Sequence, residues 1–124
     1  MKDREVKEFE WYLRDHFFRK SNQGIVKFKK ETLAEEIINS YLRYRNSDIQ
    51  MINEILTIVM KNLISRRVIQ EINADLQSIE LTGKLSRLQC SDCFYISYLS
   101  INEARSCLRC SSNGLVDFPR KINR

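Results

Sequence analysis

Apolar residues near the start of the chain recur at three- and four-residue spacing: Val6, Phe9, Leu13 and Phe17. This period predicts a helix over residues 3–20 with one apolar face, which Trp11, Tyr12 and Phe18 widen. The run Ser-Asn-Gln-Gly at 21–24 ends it, and Gly24 suits the residue just past a C-cap. Residues 25–28 then read as a short strand. Thr32 followed three residues later by Glu35 reads as a capping box. It opens a second helix running to about residue 45, with Leu33, Ile37, Tyr41 and Tyr44 facing inward. Ser47 with Gln50 repeats the signal and opens a third helix to about residue 66. Its core stripe is Ile49, Ile52, Leu56, Val59 and Leu63, with Met51, Ile58 and Met60 outside the stripe.

Beyond the third helix the pattern turns β-like. Residues 68–72 and 78–81 are short strand segments, and Asn73-Ala74-Asp75 between them supplies turn chemistry. Helix, strand, helix, turn, helix, strand, turn, strand is the order of a winged helix-turn-helix. The expected fold is therefore α+β. A winged helix-turn-helix domain over residues 1–85 precedes a cysteine module over 86–124, with Gly83 marking the change.

The cysteine module carries the strongest chemical signal. Cys90-Ser-Asp-Cys93 is followed after thirteen residues by Cys107-Leu-Arg-Cys110. Two residues between paired cysteines let both thiolates reach one metal while backbone amides turn in toward the sulfurs. Two such knuckles close a tetrahedral four-cysteine site, which zinc accepts without geometric penalty. This predicts a zinc ribbon holding one zinc per chain through Cys90, Cys93, Cys107 and Cys110. An iron–sulfur cluster takes the same four thiolates and is the alternative. Four cysteines leave no open position for water, so a catalytic zinc is not expected. Segments 94–99 and 114–118 have strand character, and Ser111-Ser112-Asn113-Gly114 lets the chain turn between them. So small a module buries little apolar surface, so the metal is expected to supply much of its folding energy. The front helices have apolar faces of their own and are expected to stand without it.

Composition narrows the class. Hydrophobic residues at 43% and charged residues at 30% are ordinary for a folded domain. No apolar run is long enough to span a membrane, and the charged N-terminus shows no secretory signal. An intracellular setting, cytoplasmic or nuclear/nucleoid, is expected, where paired thiols bind metal rather than form disulfides. Residues 1–85 carry 15 basic and 13 acidic side chains, a net of +2; residues 86–124 carry 6 and 3, a net of +3. Zinc with four thiolates removes two charges, leaving +1 on the module. That excess supports only weak nucleic-acid binding.

Candidate contact residues fall in three groups. On the third helix, Gln50 and Asn53 match adenine edges and Lys61 a phosphate, while Glu54 opposes DNA. Arg43 and Arg45 before that helix, and Arg66 and Arg67 after it, either grip phosphates or are solvated helix ends. In the module, Tyr95, Tyr98, Arg105 and Arg109 set aromatics beside arginines, a pattern for stacking on bases or anchoring a protein, or plain strand and loop residues. Arg120, Lys121 and Arg124 form a terminal basic cluster, an auxiliary nucleic-acid contact or a solvated tail. His16 is the only histidine and stands far from the cysteines. No Ser/His/Asp set, phosphate-cradling glycine loop or carboxylate pair is evident, so no enzyme is expected.

A winged helix followed by Cys90-x-x-Cys93 and Cys107-x-x-Cys110 resembles the layout of the alpha-type subunit of archaeal and eukaryotic transcription initiation factor E. The resemblance implies a non-enzymatic transcription factor that binds RNA polymerase and promoter DNA and helps open the duplex. Two other classes also fit. One is a sequence-specific dimeric repressor. The other is a protein-interaction subunit of a replication, repair or RNA-processing complex, or a virus-encoded polymerase inhibitor.

Overall fold

The computed structural model describes residues 3–72 and 75–119, with the backbone alone at residues 75 and 76. The expected turn residues Asn73 and Ala74, and the basic cluster Arg120, Lys121 and Arg124, lie outside the described residues. The chain runs α1 (Asp3–Ser21), β1 (Lys27–Lys29), α2 (Lys30–Ser40), a 3-10 turn (Leu42–Tyr44), α3 (Ile49–Ser65), β2 (Ile69–Ile72) and β3 (Asp75–Leu81). It continues as β4 (Ser86–Cys90), β5 (Ile96–Leu99) and β6 (Leu115–Asp117). The strands form two small antiparallel sheets, ordered β1-β3-β2 and β5-β4-β6. The fold is mixed α+β, with three α-helices among the described residues.

α1 ends as its sequence predicts. Gly24 adopts φ +84, which lets the Gly24 N–H reach the Ser21 carbonyl and the Ile25 N–H reach that of Lys20. These paired bonds satisfy the last carbonyls of the helix. α3 closes the same way without glycine. Arg67 takes φ 61, and the Val68 N–H donates to Leu63 O at 2.9 Å.

The helix starts differ from the capping expectation. α2 begins at Lys30, and its N-cap residue Lys29 makes no side-chain cap. Lys29 is held extended because it pairs with Ser78 in the sheet, so the helix opens where the strand stops. Thr32, expected as a cap, instead donates to Lys29 O at 3.3 Å. α2 also stops at Ser40 rather than near residue 45, because Tyr41 turns extended and its hydroxyl reaches Asp15 on α1 at 2.7 Å. On α3 the cap is Asp48, not Ser47; its carboxylate accepts from the Gln50 N–H at 3.0 Å.

The main core joins all three helices to the first sheet. Phe9, Leu13 and Phe17 of α1 meet Leu33 and Ile37 of α2 and Ile52, Leu56, Val59 and Leu63 of α3. Phe28 and Ile79 are register partners in β1 and β3 and close the sheet face of this core. Each such side chain contributes roughly 1.5–3 kcal/mol when fully buried. The expected α3 stripe is shifted: Ile49 is exposed, while Ile55 and Met60 are buried. A smaller core of Leu88, Leu99 and Leu115 backs Cys90 and Cys107 in the second sheet. The strands there are shorter than expected, and β4 was not anticipated. Phe94, placed in a strand by its pattern, adopts φ 65 and is exposed.

Candidate metal centre and the seam that carries it

The two CxxC segments fold into the same turn twice. In the first, the Phe94 N–H donates to Cys90 O at 2.9 Å and the Cys90 N–H to Tyr95 O at 3.0 Å. In the second, the Ser111 N–H donates to Cys107 O at 3.0 Å and the Cys107 N–H to Ser112 O at 2.8 Å. Phe94 and Ser111, each four residues past its first cysteine, share the left-handed conformation, with φ 65 and 66. The repetition extends to the sulfurs. Cys107 Sγ accepts from the N–H groups of Arg109 and Cys110 at 3.4 and 3.5 Å. Cys90 Sγ is bonded in the same way by the Cys93 and Asp92 backbones, which pull its thiol down to about 6. These amides favour thiolate over thiol, the state a metal requires.

The sheet brings the two turns together. Cys90 is the register partner of Leu115, and the Ser91 N–H donates to Gly114 O at 2.8 Å. Gly114 keeps this crossing open: a Cβ there would meet the Ser91 hydroxyl, which would have to rotate away. All four sulfurs consequently lie within 4.8 Å of one another, with Cys90–Cys110 at 3.5 Å and Cys93–Cys107 at 3.6 Å. No pair is a disulfide. A tetrahedral ion with bonds of about 2.3 Å needs sulfur–sulfur edges of about 3.8 Å, close to what the site offers. Cys110 has the Ser112 N–H on its sulfur, but three neighbouring sulfurs push its thiol up to about 12. Four thiolates repel one another, and a cation at their centre removes that conflict. The four cysteines fit a bound metal ion such as zinc.

The cysteine module does not hang free. β5 lies along α1. The Trp11 indole N–H donates to Ile96 O at 2.8 Å, and Arg14 Nη1 donates to Tyr98 O at 2.6 Å. Arg14 is 1% exposed and forks onto Glu103 at 2.7 and 2.9 Å, with Glu10 on its Nε. Burial opposes the charge on both partners, but the pairing prevails: the guanidinium is raised and the Glu103 carboxyl held below its ordinary range. Next to it, Asp15 accepts from the hydroxyls of Tyr98 and Tyr41 and from Arg19. Those donors outweigh desolvation and lower its carboxyl, while burial and the Asp15 carboxylate push the Tyr98 phenol up. Arg87 seals the rim, its guanidinium 4.9 Å from the Phe18 ring centre and 5.5 Å from that of Phe118.

Arg14, Asp15 and Glu103 were missed from sequence. Their signal was present but indirect: Trp11, Tyr12 and Phe18 make the apolar surface of α1 too wide for one neighbour. Tyr98, expected as a surface contact, is corrected: it is 2% exposed and belongs to this seam. Tyr95 is half-buried, with the exposed Arg109 guanidinium 5.9 Å from its ring centre; Arg105 is exposed. Gln50, Asn53 and Lys61 are exposed together on α3. Arg43 is bound to Glu8 at 2.9 Å and Arg66 to Glu103 at 3.0 Å, while Arg45 and Arg67 are exposed. His16 is buried and sits 3.2 Å from Glu36.

Among the described residues, no helix is long and apolar enough to cross a membrane. No protein-family profile, curated protein or solved structure matches the chain.

Proposed function

We propose that the protein is a non-enzymatic adaptor of the transcription machinery, a winged helix carrying a zinc ribbon, with a protein complex such as RNA polymerase as its main partner. The element order and the β1-β3-β2 sheet, with the β2–β3 hairpin following α3, support the winged-helix reading. The duplicated knuckles and the edge lengths of the sulfur site support one zinc per chain. A [4Fe–4S] cluster puts each thiolate on a different iron and a [2Fe–2S] cluster puts the two pairs on different irons, so either spreads the sulfurs wider than one ion does.

The observation that carries the partner reading is the outward face of α3. In a DNA-reading helix-turn-helix this face enters the major groove and is polar and basic. Here Met51 and Ile58, two helical turns apart on one side, are 43% and 45% exposed, and Glu54 lies between them. Lys61 is the one cation among the exposed residues of the helix. Arg43 and Arg66, which flank it, are occupied by carboxylates. Such a face suits a protein surface better than a phosphate backbone.

Two measurements test this. Duplex DNA should bind the isolated protein at the micromolar level or weaker near physiological salt. Retention of RNA polymerase from native extract should be lost with Met51→Lys and Ile58→Lys. Nanomolar, sequence-selective duplex binding, abolished by Gln50→Ala with Asn53→Ala, would make the protein a repressor instead.

A further inference from the structure

A second surface, lined from both sides of the helix–ribbon seam, goes beyond the partner reading above. Between the first half of α1 and the second cysteine turn lies a cavity of about 450 Å³, within the range of small-ligand sites. Trp11, Tyr12 and Tyr95 give it aromatic walls; Arg4, Lys7 and Arg109 give it cations. The α1 residues share one helix face by their three- and four-residue spacing. Glu8 is the lone carboxylate in the lining, and it is already engaged by Arg43 at 2.9 Å. Arg4, Lys7 and Arg109 form no ion pair among the described residues, and the Tyr12 and Tyr95 hydroxyls have no hydrogen-bond partner there. An adjoining cavity of about 300 Å³, lined by Arg4, Arg43, Glu5 and Glu8, places carboxylates at that end of the groove and bounds the stretch that favours an anion.

We propose that this groove binds single-stranded nucleic acid, its bases packing on the walls of Trp11, Tyr12 and Tyr95 and its phosphates meeting Arg4, Lys7 and Arg109. Single strands present flat apolar rings alternating with anions, and the groove alternates the complementary groups. A duplex hides its base faces and offers only the phosphates. An acidic peptide offers anions without rings, and leaves the aromatic walls unmatched.

Trp11 is the only tryptophan in the chain, so its emission reports this groove and the seam it joins through Ile96 O. Titrating the full chain with oligothymidylate of about 12 nucleotides should quench that emission saturably. Three phosphate contacts predict a slope of about −2 in log affinity against log salt. Tyr95→Ala and Arg109→Ala should each weaken binding about tenfold, while Tyr95→Phe, which keeps the ring, should not. Arg109 is exposed, so its variant should keep the wild-type unfolding midpoint and serve where Tyr95→Ala perturbs folding. Three results would overturn the proposal: no quenching, duplex of equal length binding as tightly, or polyglutamate competing with equal affinity. The second would reduce the groove to a charged patch, and the third would assign it to an acidic protein segment.

Discussion

The hydroxyl of Tyr98 in β5 donates to the carboxylate of Asp15 in α1, a buried hydrogen bond between residues 83 positions apart. It ties the cysteine-bearing part of the chain to the helical part. Asp15 is 1% exposed and has Tyr41 and Arg19 as its other donors, so each lost donor leaves a buried charge less satisfied.

Tyr98→Phe should therefore lower stability by about 2 kcal/mol, the scale of a hydrogen bond to a charged group. Urea unfolding of wild type and variant at pH 7 measures the difference. A loss of under about 0.5 kcal/mol would mean that water replaces the phenol and the seam is looser than described.

Arg14→Met should cost more, roughly 3–5 kcal/mol, because Glu103 then keeps an uncompensated charge in a nearly closed site. Its side chain is 6% exposed, with the partly exposed Arg66 as its remaining cation. Adding Glu103→Gln should restore part of that loss, and the double-mutant cycle measures the coupling. Additive losses would show that the fork contributes through packing alone.

Acid should weaken the protein in two stages. Burial lowers the His16 imidazole below its usual 6.5, so the unfolded chain takes up a proton that the folded one refuses. Stability is complete above that value and declines as pH falls through it, by up to about 1.4 kcal/mol per pH unit. Asp15 and Glu103 are lowered below 3.8 and 4.5; their contribution is present above those values and is lost as pH falls through the folded ones. His16→Gln should flatten the decline that begins near pH 6.5 while leaving the steeper loss at lower pH. Comparing variant with wild type cancels proton-driven metal release, which both share. Parallel profiles would remove His16 from the account.

Elemental analysis should find close to one zinc per chain and negligible iron. Chelation, or Cys107→Ser, should unfasten the two turns and release β5 from α1, seen as faster hydrogen exchange at Ile96–Leu99. Most far-ultraviolet helical signal should survive, because Phe9, Leu13, Ile37 and Leu56 share a core that contains no cysteine. Complete loss of helix would show that the seam, not this core, holds α1 in place.

Much of the local structure was legible because local chemistry decides it. The apolar periods of α1 and α3 and the Gly24 ending follow from residues within a turn or two of each other. Each CxxC turn likewise closes on its own backbone amides. The capping box at Thr32 failed for a non-local reason: β1 pairs with β3, far along the chain, and holds Lys29 extended. Ile49 shares the face of Ile52 and Leu56 but is the first residue of α3 and stays exposed at the helix end.

The sequence by itself determined which four sulfurs are ligand candidates, since pair spacing alone limits what each turn can chelate. Only the tertiary structure decided that the pairs meet, because the β4–β6 register and the Ser91–Gly114 backbone bond set their separation. It also decided the fate of Arg14, Asp15 and Tyr98. Periodicity records which positions are apolar, and these three are polar. Their burial depends on partners contributed by remote strands, and no pattern within a single helix encodes a surface that arrives more than eighty residues later.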